Sequence, residues 1–186
     1  MDTLMIIIVC LMIITCLIFS IYTIFYNKLQ DYIIRINEVE SMIDDNLRNK
    51  YDNINKYIAI MKETKKIEND IDPSAFDEII RIRTQKFSNF DIDRKLIEVE
   101  IFITELKEKY KELKESEELT NLEKKREELD ENLIVNKEYY NRNIAEYNKL
   151  IKQFPTNIIA KMGKYEEKLF YDRKDMSDDD FNDFKL

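Results

Sequence analysis

The chain has 186 residues, a net charge of −8 from 38 acidic and 30 basic side chains, no histidine, no tryptophan, one glycine and two prolines. The lack of histidine excludes Ser-His and Cys-His nucleophile pairs, His-bearing zinc sites and the Glu-x-x-His di-iron site of helical bundles, and a single glycine excludes phosphate-cradling loops. An acidic chain with no basic stripe is not suited to nucleic acid, and so few turn formers make an all-α fold of long helices with short links the economical expectation.

Leu4 to Tyr26 is an apolar run interrupted only by small or weakly polar residues such as Cys10, Thr15, Cys16, Ser20 and Thr23. As a helix it covers roughly 34 Å, enough to cross a bilayer core. It lacks the positive start, the shorter apolar stretch and the small-residue cleavage site of a signal peptide. Ile14-Thr15 ahead of Cys16 does not suit lipidation either, so both cysteines read as membrane-buried thiols. The expectation is a transmembrane anchor over residues 1–26, in contact with membrane lipid. Lys28 and Arg35 follow the span and only Asp2 precedes it, which predicts a single-pass cell-membrane protein with its soluble part in the cytoplasm.

Beyond the anchor, residues 27–171 are long enough for one bundle domain with its own core. Neither Pro nor Gly occurs from Tyr26 to Lys66, so the membrane helix is expected to continue into that domain. Its stripe is Ile36, Val39, Ile43, Leu47, Tyr51, Ile54, Ile58 and Met61. Asp72-Pro73 opens a second helix through Phe76, Ile79, Ile80 and Phe87 to about Ser88. After a separator over Ser88 to Asp93, a third carries Leu96, Val99, Ile103, Leu106, Tyr110 and Leu113. A fourth, opening at Ser116 or Glu117, carries Leu122, Leu129, Leu133, Tyr140, Ile144, Tyr147, Ile151 and Phe154, and Pro155 stops it. The predicted architecture is an antiparallel up-and-down four-helix bundle with coiled-coil-like stripes. The alternative is three long helices, with the second and third merged through Ser88 to Asp93.

The charged faces mix both signs, as in Glu105, Lys107, Glu108, Lys109, Lys111 and Glu112, and read as solvated surfaces. Their carboxylates offer no desolvated, poised acid, so no catalytic residue, cofactor or metal is expected. After Pro155, Ile158, Ile159, Met162, Tyr165 and Leu169 form an apolar face among Lys161, Lys164 and Lys168. That face suits packing on the bundle, or a membrane surface through Ile158, Met162, Tyr165 and Leu169. Residues 172–186 form an acidic tail expected to be disordered. Within it Asp178, Asp180 and Asn182 repeat the start of a calcium loop, but Asp183 stands where that loop needs Gly, and no bidentate Glu follows.

Tyr139-Tyr140-Asn141, then Tyr147-Asn148, then Phe154-Pro155-Thr156-Asn157-Ile158-Ile159-Ala160, ending at Phe170, resemble the YYN…YN…FPxNxIA signature of the LemA family of bacterial membrane-anchored helical proteins. Tyr26-Asn27-Lys28-Leu29, with Ile43-Asp44 and Leu47 to Asp52, is similar to the helix behind that family's anchor. The chain departs from the family at Asn53 to Ile58, where a proline-bearing segment is usual, and at Tyr110-Lys111, where Tyr-Pro is usual. Lys137 replaces an arginine, and Met162-Gly163-Lys164 is one residue shorter than the family's run.

The resemblance implies four helices behind an anchor, in a family whose biochemical activity is unassigned. Tyr140 and Tyr147, and likewise Asn141 and Asn148, are seven apart and share a side of the fourth helix. They suit control of helix register, or else a polar ligand groove. The function expected is a non-enzymatic scaffold binding a protein partner at the membrane; the alternative is a lipid or small-molecule binding module.

Overall fold

The computed structural model of the chain describes residues 2–63, 87–110, 113 and 116–172, and these form helices without any strand. The helices are α1 (Asp2–Glu63), α2 (Asn89–Lys109), α3 (Glu117–Lys152) and α4 (Thr156–Gly163). The fold is all-α. The predicted second helix as far as Lys86, the Lys66 to Asp72 link and residues 173–186 lie outside the described residues.

α1 runs from the apolar segment into the bundle without a break, as the lack of Pro and Gly predicts. Ser88 takes an extended conformation (φ −74, ψ 158), and its hydroxyl accepts a hydrogen bond from the Asp91 amide at 3.2 Å. This N-cap starts α2 at Asn89, inside the expected separator, and an extended Ser88 rules out a helix continuing through it. α2 ends at Lys109 rather than Leu113, because Tyr110 turns extended; Leu113 is buried beyond the helix end. Ser116 opens α3 through its hydroxyl and carbonyl, and α3 stops ahead of Pro155.

Two compact units make up the chain: Met1–Glu38 with Tyr140–Leu186, and Val39–Tyr139. In the second, Asn53 and Tyr57 of α1 bond Leu122 and Glu123 of α3, while Lys50 meets Asp130. Numbering falls on α3 as it rises on α1, so the two are antiparallel. Asp93 with Lys137 and Lys107 with Glu123 make α2 antiparallel to α3 in the same way. α1 and α2 therefore run parallel. That is the relation an up-down-up-down order gives its first and third helices, and three long helices would reverse it.

The core of the second unit follows the predicted stripes closely. Ile43, Leu47, Ile54, Ile58 and Met61 of α1, Leu96, Val99, Ile103 and Leu106 of α2, and Leu129 and Leu133 of α3 are all buried. Tyr51 is only half-buried, and its neighbour Lys50 occupies the interior instead. In the first unit, Leu29 and Ile36 of α1 cluster with Ile144, Tyr147, Leu150 and Ile151 of α3, with Ile159 and Ala160 of α4, and with Phe170. Phe154, placed by its spacing at the end of the α3 stripe, is instead 80% exposed, because the helix has ended two residues earlier.

Candidate functional site

The signature residues of α3 converge on the chain that follows α4. α4 is closed by Lys164 in the left-handed conformation (φ 53), and the segment from Tyr165 to Phe170 that follows is not helical. Asn148 donates from Nδ2 to the Lys168 carbonyl at 2.8 Å and accepts the Lys168 amide on Oδ1 at 2.9 Å. Asn141 Oδ1 accepts the Tyr171 amide at 2.8 Å, and Tyr147 donates its hydroxyl to the Glu166 carbonyl at 3.1 Å. Tyr140 meets Tyr171 edge to face.

The seven-residue interval explains this geometry. Two helical turns rise about 10.5 Å, and three residues of extended chain advance about 10 Å. Asn141 and Asn148 can therefore grip residues 171 and 168 in step. Asparagine presents a donor and an acceptor together, so it pairs with a backbone N–H and C=O as a neighbouring strand would. The Tyr/Asn side of α3 is thus occupied by the protein's own backbone.

A second constellation lies in the other unit. Lys50, 2% exposed, places its ammonium 2.5 Å from Asp130 and 3.0 Å from Glu100. Arg126 lies 3.6 Å from Glu100 and stacks its guanidinium over the Tyr57 ring. Tyr57 donates to Glu123 at 2.9 Å, and Lys107 donates to both oxygens of the same carboxylate at 2.6 and 2.5 Å. Three cations meet three carboxylates across three helices.

Burial opposes the charge on Lys50, but Asp130 and Glu100 outweigh it and raise the ammonium above its ordinary pKa. Burial dominates at Glu100 and raises its carboxyl despite Lys50 and Arg126. At Glu123 burial pushes upward too, yet the hydrogen bonds from Lys107 and Tyr57 prevail and hold it below the ordinary carboxylate range. Tyr57, buried against Glu123, is raised well above a free phenol. Lys107, expected on a solvated face from the mixed charge pattern, is instead half-buried against Glu123. Among the described residues no group of His, Cys, Asp or Glu is placed to hold a metal.

The remaining signature positions divide by burial. Ala160 is buried in the first-unit core, and Pro155 precedes α4 behind a cis peptide bond. Asn157 is half-buried, with an Oδ1 that finds no hydrogen-bond partner among the described residues. Of the possible membrane-surface residues, Ile158, Met162 and Leu169 are exposed and Tyr165 is half-buried; Tyr165 and Leu169 lie beyond the helix rather than on it. Leu4 lies on the exposed apolar stretch of α1, and Tyr26 lies near its end, stacked on Tyr22. Sequence reasoning missed the Lys50 network, although a signal was present: Leu29, Ile36, Ile43, Lys50 and Tyr57 stand seven apart and are all buried.

The fold and its clamp define a helical protein whose C-terminal segment is tied to its longest packed helices. Residues 39–181 match the LemA family, and the chain belongs to that family. The match takes in the signature from Tyr139 to Phe170 and begins after the Tyr26 to Leu29 stretch. No curated protein matches the chain.

Proposed function

We propose that this protein is a membrane-anchored, non-enzymatic helical scaffold whose first helix crosses the bilayer once, between about Leu4 and Tyr26. The observation that carries this reading is exposure: every residue from Thr3 to Tyr22 is exposed, on a helix that continues unbroken into packed protein. Such a surface belongs in lipid. Its few hydroxyls suit lipid as well, because Thr15, Ser20 and Thr23 each donate to the carbonyl four residues earlier and present no unpaired donor.

An interaction role is supported by Ile97, Ile101, Ile134 and Val135, large apolar side chains exposed on α2 and α3. The residue types present favour binding over chemistry, and the negative net charge favours protein over nucleic acid. Crosslinking in cells, followed by detergent extraction, tests the scaffold: discrete protein partners are expected, and recovery of none would refute it. Lys28 and Arg35 favour a cytoplasmic bundle. A reporter fused after Leu186 that works only outside the cell would reverse that orientation.

A further inference from the structure

α4 has two different faces. Ile159 and Ala160 pack inward in the cluster that contains Leu29 and Ile36, while Phe154, Ile158 and Met162 are 80%, 51% and 72% exposed. Leu169 adds a further exposed apolar side chain. The level of this patch along α1 is fixed by Tyr165, whose hydroxyl accepts a hydrogen bond from Gln30 Nε2 at 2.6 Å. Gln30 lies one turn, about 6 Å, beyond Tyr26. Tyr22 and Tyr26 stack with ring centroids 5.8 Å apart, in the manner of an interfacial aromatic belt. The outer face of α4 is therefore held beside the first turn of α1 to leave the apolar span.

Resting on the reading of Leu4 to Tyr26 as a span, we propose that α4 and its flanks seat on the bilayer next to the anchor and take anionic phospholipid. Phe154, Ile158 and Met162 enter the boundary between headgroups and acyl chains. Lys161, Lys164 and Lys168 face the phosphates. These lysines are exposed or half-exposed, and with Lys152 they outnumber Glu166 and Glu167 in a chain that is otherwise acidic. Lipid is the occupant because Tyr165, just past the end of α4, is bonded one turn beyond the exposed apolar stretch of α1, and an eight-residue helix whose outer side carries Ile158, Met162 and Lys161 is too short to cross a bilayer and suits its interface.

The test uses full-length protein without its native thiols (Cys10→Ala, Cys16→Ala) in vesicles of phosphatidylcholine and phosphatidylglycerol with brominated acyl chains. A fluorophore is attached through Met162→Cys, an exposed position, or through Met12→Cys within the span. Both labels are expected to lose at least about half their emission, as for groups some 5–10 Å or more into the boundary. Lys161→Glu with Lys164→Glu should restore emission at position 162 and leave position 12 quenched, and omission of phosphatidylglycerol should act in the same direction. Quenching at 12 with none at 162 would overturn the lipid seat while leaving the span intact, and would point to a protein cover instead. Quenching at neither position would overturn the span and the seat together. Equal quenching at 162 in phosphatidylcholine alone, unchanged by the lysine substitutions, would refute the preference for anionic lipid.

Discussion

Lys50 stands where the spacing of α1 calls for an apolar residue, between Leu47 and Ile54 and in line with Ile43 and Tyr57. A buried ammonium is tolerable only with its partners, and removing one member of such a set strands the rest. Lys50→Met is expected to destabilise the protein by about 3–5 kcal/mol in chemical unfolding. Adding Glu100→Gln should recover part of that loss, and strictly additive costs would refute the coupling. Glu123 makes a separate, pH-dependent prediction. Its pKa is depressed in the folded state, so its contribution is present above the ordinary carboxylate value and is lost as pH falls through the folded one. Glu123→Gln should therefore lower Tm at neutral pH and narrow its gap to the parent below about pH 4. Parallel Tm curves would contradict this. Glu100 has the opposite sign, because its raised carboxyl costs stability as pH rises past the ordinary value. The seven-residue spacing marks Lys50 as an interior position, but its partners were not legible in the sequence, where a run of mixed charges looks alike whether it faces water or two neighbouring helices.

At the scale of elements, stripes and stops were legible because each is local. Apolar spacing located the buried faces of α1, α2 and α3, and Ser116 located the start of α3, whereas α2 begins at Asn89, within the stretch from Ser88 to Asp93 expected to separate two helices. The segment after α4 was not legible, because Ile158, Met162, Tyr165 and Leu169 keep helical spacing across a point where the helix ends. That end is enforced by Lys164 in the left-handed region and by Gly163, where a Cβ would come within 2.9 Å of Tyr165 Cδ2. Gly163→Ala is expected to push the Tyr165 ring off Gln30, a loss of about 1 kcal/mol, seen as a small drop in Tm; no change would argue that the ring yields freely. The clamp makes a larger prediction. Asn148→Ala leaves the Lys168 amide and carbonyl unpaired and should cost about 2–3 kcal/mol, with faster hydrogen exchange at the Lys168 amide. Asn141→Ala, which removes one bond, should cost less than half of that. Equal effects would undo the reading of Asn148 as the principal grip.

At the scale of the whole molecule, the order of the described helices was legible from punctuation, whereas the division into units was not, since it depends on contacts between distant segments. One unit joins Met1–Glu38 to Tyr140–Leu186 and the other is the stretch between them. A chain terminated at Tyr139 would retain Leu29 and Ile36 without Ile144, Ile151, Ile159 or Phe170 to cover them. It is expected to be degraded or to pellet when produced in cells, and accumulation at the level of the full chain would show that the cover is dispensable. The same division sets a timetable for biosynthesis. The ribosome delivers Leu29 and Ile36 early and Ile144 roughly a hundred residues later, an interval of about 5–20 s at ordinary elongation rates. Throughout that delay the apolar side of the nascent α1 stands uncovered, a period in which chaperones and proteases compete with completion of the chain.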